Sequence, residues 1–172
     1  MNTTWADFIL LIQEVRVSNQ VSRLLADGWG NLQVLQQLGK VDRVTLSGAR
    51  LAECYCPWYQ TDLGICPWSA PHAEPYSIAA WAEQYHSGGN VPAKEWVEQL
   101  VKHPTRISGS GPILLIEDTH LKVSVIAEGN KRACAAYLTG TDMVAIRFRS
   151  LYSHALFSSD FLPHILRLRC QQ

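Results

Sequence analysis

The chain of 172 residues is 47% hydrophobic and 17% charged, with Lys+Arg and Asp+Glu balanced at 15 each. This composition describes one globular domain with a sizeable core; it excludes a disordered chain and a nucleic-acid binder that works through overall basic charge, so any anion site is local. The apolar run Phe8–Ile12 is short and flanked by Asp7 and Glu14, unlike a signal peptide or membrane span, and with an odd count of five cysteines it points to a cytoplasmic protein with reduced thiols.

In chain order, Trp5–Ala26 carries apolar residues at helical spacing behind Thr3 or Thr4, and Gly28-Trp29-Gly30 ends it. Asn31–Leu38 reads as a second short helix closed by Gly39. Arg43–Leu51 is predicted as a strand with a turn at Ser47-Gly48. Glu53–Pro75 holds four prolines, three cysteines and two tryptophans, and is predicted to be a long irregular loop with its aromatics packed on the body of the domain. Ser77–Tyr85 is a helix capped by Ser77, with Ile78, Trp81, Ala82 and Tyr85 on one face. Pro92–Lys102 is another, with Trp96, Val97, Leu100 and Val101 on its apolar side. The spacing makes Trp81 and Trp96 core residues. Ile107–Gly111 reads as a Gly/Ser turn.

Ile113–Ile116 and Val123–Ile126 are β-branched and apolar, the pattern of buried strands, with a turn at Asp118-Thr119-His120. Lys131–Leu138 is a helix stopped by Gly140, and Met143–Arg149 a strand. Tyr152–Arg169 is partly helical. The pattern sums to an α/β (α+β) fold, a small mixed sheet with packed helices, in one domain. Its parts are an N-terminal helical segment (1–43), a core (44–150) and a C-terminal tail helix (151–172).

The informative segment is Glu128-Gly129-Asn130-Lys131-Arg132, where a strand ends and a helix begins. A helix start leaves N–H groups without intrahelical partners and carries partial positive charge. Gly129 lets a ligand approach the backbone, Asn130 offers an amide, and Lys131 and Arg132 supply cations. Cations have the unfavourable sign for a helix start, which points to an anion that compensates them. These residues form a candidate phosphate cradle, with Glu128 as general base or metal-water ligand. The plain alternative is a solvated helix start.

Cys54, Cys56, Cys66 and His72 were weighed as a zinc set, but the spacing lacks the paired ligands two to four residues apart that structural zinc uses, so buried thiols are the favoured reading. Cys134 reads as a small core residue beside Ala135, Tyr137 and Leu138, with activation by Lys131 or Arg132 as the alternative. Asp118 and His120 lie in a turn from which they would reach the mouth of the cradle.

Glu128–Arg132 resembles the core of the Fic/Doc motif, but that motif needs an upstream histidine where Ser124 stands, and its flanks are helical where these read as strands. The order Pro112–Asp118, Val125–Arg132, Ala135–Gly140 and Met143–Arg147 resembles the ParB/sulfiredoxin-like superfamily more closely, over about residues 44–150. That resemblance implies nucleotide or phosphate binding at the box. Members include CTP-dependent DNA-partition switches, serine kinases, sulfinic-acid reductases and small plasmid-borne nucleases or ATPases that suppress DNA transfer. Asn130 stands where the reductases place their cysteine, Lys131 replaces the usual Arg or His, and no helix-turn-helix pattern follows residue 150. The resemblance thus implies a nucleotide- or DNA-phosphate-binding protein with ATPase or DNase activity, with Mg²⁺ and with ATP or CTP as ligand. The alternative is a non-enzymatic regulator that docks on a partner protein through the loop at 55–68. Acid density near the box separates the two: an enzyme should gather Glu128 with Glu117 or Asp118 around a metal.

Overall fold

The computed structural model describes residues 39–61, 64–66, 70, 72–109, 111–119 and 122–150. The helices read at Trp5–Ala26 and Asn31–Leu38, the tail helix, Trp68 and His120 lie outside the described residues. The elements run β1 (Gly39–Leu46), α1 (Gly48–Ala52), β2 (Tyr55–Thr61), β3 (Gly64–Cys66), β4 (Glu74–Ser77), α2 (Ile78–His86) and α3 (Lys94–Lys102). They continue with α4 (Thr105–Ser108), β5 (Ile113–Asp118), β6 (Val123–Glu128), α5 (Asn130–Thr139) and β7 (Met143–Ser150). No described helix is long and apolar enough to cross a membrane.

The fold is α+β, built on one mixed sheet in the order β1-β7-β5-β6-β2-β3, with β4 paired on β2. β7 is parallel to β5 and antiparallel to β1, β5 is antiparallel to β6, and β6 meets β2 in parallel at Val125 and Tyr55. The box therefore opens a strand-to-helix turn with a strand on its far side.

α5 is the central helix, packed against α1, α2, α3 and α4. Its residues Ala133, Cys134, Ala135 and Ala136 are all fully buried. Such small side chains let the neighbouring helices approach closely while apolar area still leaves water. Gly140 closes α5 in the left-handed conformation, and the Thr141 N–H donates back to Ala136 O at 2.9 Å, so orphan carbonyls at the helix end are satisfied. On the same side of the sheet lie Leu51, Trp81, Val97 and Ile107, also fully buried. The Trp81 indole N–H finds Pro92 O at 2.9 Å, which removes the cost of burying it. Leu114, Ile116, Val125, Ile146 and Phe148 are buried as well, so the sheet centre is shielded on both faces.

At the far end of the sheet Arg147 clamps β1, its Nε and Nη2 donating to the Asp42 carboxylate at 2.9 and 2.8 Å. Its Nη1 donates to Glu117 at 3.3 Å, and Arg149 donates to Asp42 at 3.0 Å. The hydrogen bond that Arg147 donates to Asp42 is the main cause that pushes its pKa up. This part-buried bidentate pair fixes the register Asp42↔Arg147.

Four expectations change. The described residues of 53–75 form three antiparallel strands, with β3 and β4 both paired on β2, not an irregular loop. Pro57 falls inside the register shift between Tyr55 and Tyr59, where a missing N–H costs no ladder bond, and Pro75 lies on β4, which pairs with β2 alone. The strand before it ends at Leu46, and Gly48–Ala52 turns helical. β1 begins at Gly39, five positions before the predicted core boundary at 44. The Gly/Ser turn at 107–111 contains the end of a short helix, Thr105–Ser108.

Candidate functional site

β6 delivers Glu128 to the edge of the helical layer, and Gly129 turns the chain into α5 with φ 93°, in the left-handed region. A side chain here is excluded twice: by that φ, and because a Cβ would lie 2.9 Å from Ile113 Cβ and 3.2 Å from Arg132 Nη2. Packing against β5 thus suffices to explain this glycine. A consequence at the helix start remains: Gly129 provides no side-chain cap, and the first turn holds no acid.

Asn130, the first residue of α5, is 8% exposed, and its Oδ1 has no hydrogen-bond partner among the described residues. Side chains of a helix lean toward its N-terminus, so the amide at this position faces the open end. An unpaired buried amide group of this kind costs about 1–3 kcal/mol unless a ligand or solvent satisfies it. Lys131, next in line, is exposed, and its Nζ lies 4.8 Å from the centre of the Trp96 ring on α3. Arg132 takes a different role. Its Nη1 donates to Gly111 O and its Nη2 to Pro112 O at 3.3 Å, so it anchors the entry to β5 against α5. The cradle therefore has Lys131 as its mobile cation, while Arg132 is a brace.

The acids do not gather. Leu114 is the cross-strand partner of Glu128, and Glu117 and Asp118 lie three and four residues further along β5. At the rise of a strand this is roughly 10–13 Å along the sheet. Glu117 is held by Arg147 at 3.3 Å, and Asp118 is buried at that far end. Neither reaches the mouth of the cradle, which leaves Glu128, half-buried, as the acid β6 brings to it.

The cysteine set does not converge either: among the described residues no three His, Cys, Asp or Glu side chains form a group able to hold a metal. Cys54, just before β2, and Cys56 on it are buried in the core, Cys66 is half-buried and His72 is exposed. The Cys54 thiol donates to Arg50 O at 3.2 Å, and burial pushes its pKa up to about 12. Burial, then a hydrogen bond with Cys134, raises Cys56. Cys134 is fully buried, as its place among the alanines implied. Trp58, in the loop read as a docking alternative, is partly buried and packs on the core.

Sequence reasoning missed Trp96. It was placed in the core, but it is 66% exposed. It sits at the margin of the α3 stripe, whose inward positions are Val97, Leu100 and Val101. The position beside Lys94 and Glu95 was the available signal.

Comparison of the chain with protein-family models, with curated proteins and with solved structures returns no match.

Proposed function

We propose that this protein binds the phosphate of a nucleotide or nucleic acid at the N-terminus of α5, in the manner the ParB/sulfiredoxin-like resemblance implies. The observation that carries this reading is the start of α5, with no side-chain cap, no acid in its first turn and the exposed Lys131 on it; the unpartnered Oδ1 of the buried Asn130 is a further polar group there to be satisfied. The free N–H groups and the dipole there favour an anion, and the exposed Lys131 adds a full positive charge within reach. A phosphate oxygen suits the helix N–H groups and the amide nitrogen of Asn130. Its Oδ1 needs a donor, which a hydroxyl or a cation-bound water provides.

Hydrolysis, of the ATPase or DNase kind, is the second reading, and it rests on Glu128. Mg²⁺ binds through one or two carboxylates together with substrate phosphates, and Glu128 would supply the protein's share. The distance of Glu117 and Asp118 from the box favours binding over turnover. Calorimetric titration with nucleotides and short DNA, with and without Mg²⁺, tests the reading. Lys131→Ala should weaken binding by roughly 1.5–3 kcal/mol, the scale of a charge-assisted contact. Unchanged affinity in that variant removes the proposal. Glu128→Gln then separates the two readings: turnover lost with affinity kept, by about 10²–10⁴-fold, identifies a general base.

A further inference from the structure

We propose that Trp96 is the base-stacking element of this site: the ligand is a nucleotide whose phosphate meets the start of α5 and whose base lies on the Trp96 indole. The inference rests on the phosphate reading above and names its ligand class.

Trp96 is 66% exposed, although its neighbour on α3, Val97, is fully buried. α3 is an amphipathic surface helix on which Val97 is the one buried residue, and a large indole on its solvent side is a surface feature that the core does not require. Its position relative to α5 gives it a use. Lys131, the second residue of α5, holds its ammonium 4.8 Å from the ring centre. The indole therefore stands within one lysine side chain of the open helix start. A flat electron-rich face, an ammonium and a helix N-terminus then lie side by side, matching the base and the phosphate of a nucleotide.

Asn130 narrows the ligand further. Its unpartnered atom is an oxygen, an acceptor. Unprotonated phosphate oxygens are acceptors too, so the ionised oxygens of a nucleotide's phosphate chain do not satisfy Oδ1. A nucleoside carries ribose hydroxyls and base amino groups, which donate. Every base also has a π-face, so an indole platform gives affinity with little sequence preference. In the free protein the ammonium of Lys131 occupies the ring. On binding, it transfers to the phosphate, whose full negative charge attracts it more strongly than the ring quadrupole does, and the indole passes to the base.

The test titrates the full chain with ATP, CTP, GTP and UTP, and with inorganic tripolyphosphate, which has the charge without the base. Wild type should prefer each nucleotide over tripolyphosphate by roughly tenfold, the scale of one base–aromatic stack. Trp96→Ala should erase that preference and leave tripolyphosphate affinity unchanged. Trp96→Phe, which keeps an aromatic face, should restore part of it. Equal binding of nucleotide and tripolyphosphate by wild type, or a preference that survives in Trp96→Ala, overturns the stacking role while the phosphate site stands. Equal loss of both ligands in Trp96→Ala makes the residue structural and overturns it too. Absence of binding by wild type to any of these ligands ends the phosphate reading and this inference with it.

Discussion

Among the described residues three helices start directly from a strand, α1 from β1, α2 from β4 and α5 from β6, and the starts of α2 and α5 are built differently. At α2, the Ser77 hydroxyl accepts the Ala80 N–H at 3.1 Å and seals the first turn. At α5, Gly129 has nothing to offer the first-turn N–H groups, and the following side chains are a buried amide and two cations. α3 provides an intermediate case: Ala93 gives no side-chain cap, but Glu95 in its first turn complements the dipole. A sealed start contributes stability and needs nothing further. On the proposed reading, an open start with cations beside it is completed when an anion arrives.

Gly129 is where this contrast should break most severely. Gly129→Ala meets a positive φ and the Ile113 side chain together, so a loss of roughly 2–4 kcal/mol in denaturant unfolding is expected. A variant as stable as wild type would show that the open start is not imposed by packing. Arg132→Ala comes next. It leaves Gly111 O and Pro112 O without their guanidinium partner, so stability should fall by about 1–3 kcal/mol even without ligand. Stability equal to wild type, with phosphate affinity lost, would return Arg132 to the ligand. Ser77→Ala should cost about 1 kcal/mol and leave ligand affinity untouched, since it unseals the other helix. A change in affinity there would mean the two starts are coupled. The smallest effect on stability belongs to Lys131→Ala. Removing a cation from a helix start offsets the lost contact with Trp96, so unfolding should shift by no more than about 0.5 kcal/mol. A larger destabilisation would make Lys131 a brace like Arg132 and disqualify it as the clean probe of binding.

Strong periodicity made α2, β5, β6, α5 and β7 legible in the sequence. Each has a run of apolar residues at one period and a stop signal, such as Gly140 after α5. The strands β2, β3 and β4 were not legible, because proline removes a donor and a local reading takes that as the end of a strand. Pro57 and Pro75 are tolerated through a register shift and an outer strand, which only the assembled sheet reveals. At the site, Gly129–Arg132 was found as a strand-to-helix turn, but the division of labour within it was not. Arg132 reaches carbonyls 20 and 21 positions earlier, and no local pattern encodes such a contact. The carboxylates were misplaced for a related reason. Glu117 and Asp118 are near the box in sequence, but an antiparallel pair carries the far end of β5 away from the end of β6.

The buried thiols Cys54 and Cys56, just before β2 and on it, carry a practical consequence. A thiolate is the species that attacks labelling reagents, and Cys54, with its pKa near 12, holds almost none at neutral pH. Cys56 is shielded in the same way, inside the layer where β2 meets the central helix. In the native state both are silent, and either reacts only when that layer parts. With Cys66 and Cys170 replaced by serine, the rate of thiol labelling becomes a clock for the opening of the core itself, and its slowing by a nucleotide would measure how firmly a ligand at the start of α5 holds the layer shut.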